Sequence, residues 1–190
     1  MEARDDIHYI ERVLSGDTGA FSCLVDRHKD LVFTIALKIA RNREDAEEIA
    51  QDVFVKAYQK LASFRKDSRF STWLYRIAYN EAITGVRKRK VITEELHDEI
   101  AESFPEHEIE NEIMGLDPSE QQMVLGKILD MLPPEDQVLV TLFYMHDQPV
   151  SEISEVTGLS GSNVKVRLHR IRKRIYSELD IVLKRIHSTR

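Results

Sequence analysis

The chain has 190 residues, a length that accommodates one ordinary domain or two small ones. Hydrophobic residues make up 42% of it, which is enough for a packed core and excludes a globally disordered protein. The chain has only seven glycines and five prolines, and 32% of its residues are charged. This composition favours an all-α protein over a β-sandwich or barrel, and it excludes collagen-like and β-solenoid folds.

Several classes of site and location are also excluded. A single cysteine, Cys23, cannot form an internal disulfide or a cysteine-based zinc site, and the seven histidines show no metal-ligand spacing. The first six residues include Glu2, Asp5 and Asp6 and contain no apolar signal-peptide core. The longest uncharged apolar run spans 8 residues, 138–145, against about 20 needed to cross a bilayer. We therefore expect a cytoplasmic protein with no membrane insertion, no cofactor and no metal.

Charge is segregated along the chain. The formal net charge is −6, but residues 91–120 hold eleven acidic residues and no Lys or Arg. The remainder therefore carries +5, with eight Lys and Arg in residues 65–90 and nine in residues 163–190. Two basic stretches joined by an acidic segment point to a polyanionic partner.

Apolar periodicity predicts a four-helix N-terminal domain within residues 1–90. Its helices are expected at residues 7–14, from 21 to about 42, at 44–62 and at 71–89. Ser71 is the expected N-cap of the fourth helix, after a loop at residues 63–70.

A second, smaller helical domain is predicted within residues 123–190. The segment before it, 91–122, is acidic, contains Pro105 and Pro118, and is expected to be a flexible linker. Helices are expected from residue 121, at 134–146, at 150–156 and from 161 to about 186.

The last two helices form a helix-turn-helix pattern. The shorter helix is followed by Gly158, and Ser160 is the expected cap of the long one. An apolar stripe in the long helix (Val164, Leu168, Ile171 and Ile175) defines its buried side. The opposite side is expected to enter a DNA major groove and carries Ser162, Lys165, Val166, His169 and Arg170. Three further basic residues lie at the edges of this exposed side and are expected to contact phosphates: Arg167, Arg172 and Arg174.

Two blocks of the sequence resemble a known family. Residues 45–54, Phe64 and residues 71–80 resemble region 2 of bacterial sigma factors, most closely the small extracytoplasmic-function (ECF) type. Leu132-Pro133, Ile153, Gly158-Leu159-Ser160 and residues 164–172 resemble region 4. The likeness covers roughly residues 17–90 and 124–178, in the order and spacing of the family.

The resemblance implies a transcription initiation factor that is not an enzyme. In the family, region 2 docks on the clamp helices of the largest RNA polymerase subunit and melts the −10 promoter element. Region 4 sits on the polymerase β flap and reads the −35 element. The family also implies an anti-sigma factor as a partner.

The resemblance also assigns roles to individual residues by position. The positions that bind polymerase in the family correspond here to Asp45, Glu48, Gln51 and Asp52. Contacts to the −10 element fall on Lys66, Ser68, Arg69, Arg76, Asn80, Arg87 and Lys88. Asn163 joins the −35 set as a phosphate contact, although the family's usual Gly-Thr before Val164 is here Ser162-Asn163.

Two other functions are compatible with parts of the pattern. A free-standing helix-turn-helix regulator would account for residues 150–175 but would leave residues 45–80 unexplained, and no heptad seam for dimerisation is visible. An enzyme could use Asp45, Glu48 and Asp52 as metal ligands, but no phosphate loop or nucleophile motif accompanies them.

Overall fold

A computed structural model describes residues 2–89 and 117–189, and the side chains of residues 6–86 and 117–184. Within these ranges every regular element is helical, which confirms the predicted all-α class. Residues 91–116 of the predicted acidic linker lie outside the described residues, whereas residues 118–122 are helical, so the prediction of a flexible linker as far as residue 122 is wrong there. Every helix in the described ranges is too short or too polar to span a lipid bilayer.

The described N-terminal half contains the four predicted helices. They are α1 (Glu2–Leu14), α2 (Phe21–Ala40), α3 (Arg43–Lys60) and α4 (Phe70–Arg89). Helices α2, α3 and α4 pack against one another, and α1 lies against α2 and α4. Their apolar faces supply a buried core that includes Leu24, Ile35, Val53 and Leu74.

The junction between α2 and α3 differs from the prediction. Helix α2 ends at Ala40 and not near Asn42, because Arg41 adopts a left-handed conformation with φ of 60°. Asn42 instead caps α3, and its Oδ1 accepts the backbone N–H of Asp45 at 2.8 Å. An asparagine that satisfies a free amide in this way stabilises the start of a helix by about 1 kcal/mol.

The predicted cap of α4 is wrong. The helix begins at Phe70, so Ser71 is already its second residue, and the N–H of Trp73 donates to the carbonyl of Arg69 at 3.1 Å. Phe70 is only 2% exposed and packs against Phe64 and Trp73, with ring centroids 5.8 and 5.7 Å away. Burial of this ring fixes the start of the helix, where the sequence suggested a hydroxyl cap.

The described C-terminal half also contains four helices. They are α5 (Pro118–Met131), α6 (Pro134–Val140), α7 (Val150–Thr157) and α8 (Gly161–Thr189), and a π-helical turn (Thr141–Met145) continues α6. Helix α5 begins before the expected residue 121, because Asp117 and Glu120 form a capping box with Pro118 in the first turn. Helices α5, α6 and α7 all pack against α8.

The two halves contact each other. Helix α4 packs against α7, and α2 packs against α6, so that buried side chains of both halves belong to one continuous apolar cluster. Polar contacts reinforce this arrangement. Arg41 donates from Nη2 to the carbonyl of Leu132 at 2.9 Å, and the Nζ of Lys38 lies 3.8 Å from the Oδ1 of Asp130.

Candidate functional site

The helix-turn-helix geometry of α7 and α8 is as predicted. Gly158 ends α7 in a left-handed conformation with φ of 76°, and its N–H donates to the carbonyl of Ser154 at 2.9 Å. Ser160 caps α8 by accepting the N–H of Asn163 on its Oγ at 3.2 Å. Glycine is favoured at position 158 because residues with a Cβ rarely adopt a positive φ.

Helix α8 separates an apolar side from a polar side. Val164, Leu168 and Ile171 are buried and Ile175 is half-buried, which confirms the predicted stripe. Val166 is 50% exposed, so it offers an apolar contact of the kind that a thymine methyl group needs. The other exposed candidates for −35 contacts on α8 are Ser162, Asn163, Lys165, His169, Arg170, Arg172 and Arg174.

Arg167 differs from the other −35 candidates. Its Nε donates to a carboxylate oxygen of Asp136, which is 8% exposed in α6. Burial raises the pKa of Asp136, and the charge of Arg167 offsets only part of that rise. Arg167 therefore ties α8 to α6 within the domain, where the sequence suggested a phosphate contact.

The −10 candidates lie on the loop at residues 64–69 and on α4. Arg76 and Asn80 are exposed and lie one turn apart on the same side of the helix. In the loop, Lys66 and Arg69 are exposed and Ser68 is half-buried. The side chains of two further candidates, Arg87 and Lys88, lie outside the described part of the chain.

Two basic residues of this loop, Lys66 and Arg69, contact carboxylates. The Nζ of Lys66 donates to Glu11 of α1 at 2.7 Å, and Nη1 of Arg69 lies 3.2 Å from Glu152 of α7. The loop and α7 face each other across an open cleft of about 510 Å³.

A buried polar network joins α1, α2 and α4 and was not predicted from the sequence. His28 is 8% exposed, and its ring nitrogens lie 3.1 Å from the hydroxyl of Tyr75 and 3.1 Å from a carboxylate oxygen of Asp6. Asp6 also accepts from Arg27 at 3.1 Å. The one sequence signal is the position of His28 within the apolar stripe of α2, where a polar residue needs buried partners.

The predicted polymerase-binding residues share one surface of α3. Glu48, Gln51 and Asp52 are exposed there. Asp45 is half-buried and accepts from the Nδ2 of Asn42 at 2.7 Å. A groove of about 250 Å³ runs between this surface and the C-terminal part of α4. Among the described residues, no group of three or more His, Cys, Asp or Glu side chains is arranged to hold a metal ion.

Comparison with known proteins gives matches for both halves. The sequence profile of sigma-70 region 2 matches residues 24–91, and that of sigma-70 region 4 matches residues 122–175. The chain is 32% identical to the ECF RNA polymerase sigma factor SigW of Bacillus subtilis, covering 90% of this chain and 94% of SigW. It is 29% identical to the ECF RNA polymerase sigma-E factor of Escherichia coli K12, covering 93% and 95%.

Solved structures share the fold. CnrH, in complex with the cytosolic domain of CnrY, matches with a TM-score of 0.62 and 24% identity over 91% of this chain and 96% of CnrH. The sigma factor RpoE of Bartonella quintana, crystallised with the anti-sigma factor NepR, matches with a TM-score of 0.61 and 21% identity over 85% and 97%. The family profiles and the identity to SigW establish that this chain belongs to the ECF group of the sigma-70 family, whose members are non-enzymatic transcription initiation factors.

Proposed function

We propose that this chain binds core RNA polymerase through α3 and directs it to promoters that it reads at two elements. In this proposal, residues 1–90 melt and read the −10 element and residues 123–190 read the −35 element. Residues 91–122 join the two domains, and the protein acts in the cytoplasm.

The arrangement of charge on the described surface carries the proposal. Helix α3 presents the carboxylates of Glu48 and Asp52, which suit a basic partner helix, because carboxylates form strong charge-assisted bonds with arginine. Helix α8, the second helix of the helix-turn-helix, presents exposed basic side chains in its first turns, and this is the part that enters a major groove. We propose that α3 docks on the clamp helices of the largest polymerase subunit and that the C-terminal domain docks on the β flap.

The −10 surface suits melted DNA. Arg76 and Asn80 are exposed on α4, and the adjoining loop supplies Lys66, Ser68 and Arg69. Cations that follow a single-stranded backbone, with an amide that pairs with a base edge, are the groups that such binding uses. Arg87 and Lys88 complete the proposed set of −10 contacts.

An anti-sigma factor is the proposed regulatory partner. CnrH and RpoE, which share this fold, were both determined as complexes, the second with a protein named as an anti-sigma factor. Such a partner could compete with polymerase or DNA for the surfaces described above.

Reversal of one charge tests the polymerase surface. We expect Asp52→Arg to weaken binding to core RNA polymerase by about tenfold or more, because it places a cation where a basic partner helix docks. Asp30→Arg is the matched control, since Asp30 is an exposed aspartate on α2, outside the proposed surface. Biolayer interferometry on immobilised core polymerase measures both. Equal affinities of the two variants, with unchanged circular dichroism, would contradict the assignment.

A further inference from the structure

Helix α7 reaches the −10 surface through one carboxylate. The side chain of Glu152 is 14% exposed and lies 3.2 Å from Nη1 of Arg69. Its other oxygen accepts the hydroxyl of Thr72 at 3.0 Å. Thr72 is itself only 1% exposed, so this hydroxyl is shielded from solvent in the first turn of α4. Glu152 thus binds the loop and the helix of the −10 surface at once.

The contact resembles the binding of a nucleic-acid phosphate. A carboxylate that accepts from the guanidinium of Arg69 occupies a donor that a backbone phosphate would otherwise use, and the hydroxyl of Thr72 holds that carboxylate in place. Glu155, one turn further along α7, lines the same cleft and adds a second negative charge facing the basic loop. The N-terminal end of the −10 surface is therefore occupied by acidic groups of the other half.

The other binding surfaces stay open in this arrangement. Lys165, His169 and Arg170 on α8 are exposed, and so are Gln51 and Asp52 on α3. The packing of α4 against α7 thus engages Arg69 and Thr72 at the start of the −10 surface and leaves the −35 and polymerase surfaces accessible.

We infer that in the free protein α7 acts as an internal competitor for single-stranded DNA, with Glu152 bound to Arg69 and Thr72 at the start of the −10 surface. This inference rests on the proposed function of that surface. Single-stranded DNA must displace Glu152 from Arg69 and Thr72. Its apparent affinity therefore falls in proportion to the fraction of molecules in which Glu152 has left these two residues. Polymerase can dock on α3 before the halves separate, which would couple promoter melting to assembly of the holoenzyme.

Truncation of Glu152 tests the competition. We expect Glu152→Ala in the full-length free protein to bind a short fluorescein-labelled single-stranded DNA of mixed sequence about fivefold more tightly than wild type, measured by anisotropy. Glu155→Ala removes the same charge from the same helix without removing the bonds to Arg69 and Thr72, and we expect a change below about twofold.

A second variant separates the contact from the charge. Thr72→Val removes the hydroxyl donor from the other side of the contact and leaves net charge and volume nearly unchanged. We expect it to tighten single-strand binding about twofold, which long-range electrostatics cannot explain. Affinity for a duplex of random sequence should not differ between Glu152→Ala and Glu155→Ala, because the α8 surface is already open.

The outcomes are distinguishable. Equal single-strand affinities of wild type and Glu152→Ala, including no binding by either, would overturn the inference, as would equal tightening by Glu152→Ala and Glu155→Ala. Core-dependent initiation by the wild-type preparation is measured in parallel. If initiation occurs while Glu152→Ala has no effect, only the internal competition is wrong. If initiation fails as well, the proposed function is wrong.

Discussion

Replacement of Asp6 by asparagine tests the buried network that ties α1 to α2 and α4. Asp6 is 4% exposed and accepts from Arg27 and from His28, each at 3.1 Å. An asparagine has one carbonyl oxygen, so its amide group must face one of these two donors. Hydrogen bonds to charged groups contribute about 1.5–3 kcal/mol, and we expect Asp6→Asn to lower the free energy of unfolding by about 2 kcal/mol. For a chain of this size that is a fall in Tm of about 4–8 °C.

The effect should depend on pH in a known direction. Burial raises the pKa of Asp6, but the hydrogen bonds and positive charges of His28 and Arg27 lower it by more, so the pKa lies below its ordinary value of 3.8. A carboxyl group with a lowered pKa stabilises the fold above its ordinary pKa and loses that contribution as pH falls through the folded value. The difference between wild type and Asp6→Asn should be full above about pH 5 and shrink below about pH 4.

Thermal unfolding followed by circular dichroism measures this difference. Asp26→Asn is the matched control, because its carboxyl is 71% exposed and pairs with Lys29 at 3.0 Å on the surface of α2. Exposed pairs contribute below about 1 kcal/mol, so the control should unfold close to wild type. Equal Tm values for the two variants at neutral pH, or a difference that persists unchanged at acid pH, would refute the reasoning.

Three other substitutions have expected outcomes. Gly158→Ala should lower the free energy of unfolding by about 1 kcal/mol, because its φ of 76° is strained for a residue with a Cβ. The added Cβ would meet nothing within 4 Å, so no steric clash contributes. An unchanged Tm would contradict this. Arg167→Ala should cost about 2–3 kcal/mol by leaving the Asp136 carboxylate buried without its partner, and the double variant with Asp136→Asn should recover most of that in chemical denaturation. Arg170→Ala should relax preference at one promoter position by about 1–3 kcal/mol, whereas Arg174→Ala should weaken all sequences alike and reduce the salt dependence; identical profiles in a binding selection would count against the assignment.

Local signals made the helix-turn-helix predictable from the sequence. Gly158, Ser160 and the stripe that begins at Val164 each act within one or two turns of helix, and the structure places them as expected. The start of α4 was mispredicted because the deciding interaction is burial of Phe70 among aromatic rings, which a search for a hydroxyl cap does not detect.

Contacts between distant residues could not be predicted. Thr72 and Glu152 are 80 positions apart, and nothing in their local sequence indicates that α4 and α7 pack together. The prediction for Arg167 missed its contact for the same reason. Its position on α8 suggested a phosphate contact, but α6 supplies the carboxylate of Asp136, which is 31 positions away in the sequence. Periodicity shows which side of a helix is buried, but not which helix covers it.

Run-off transcription tests the central claim most directly. The full-length chain is added to bacterial core RNA polymerase on a library of random promoters, with core alone and core with Asp52→Arg as references. The account predicts transcription starts at a shared pair of upstream sequence elements that depend on the wild-type chain and are lost with the variant. Duplex binding without core, together with no chain-dependent starts in its presence, would contradict the account and favour a free-standing DNA-binding regulator.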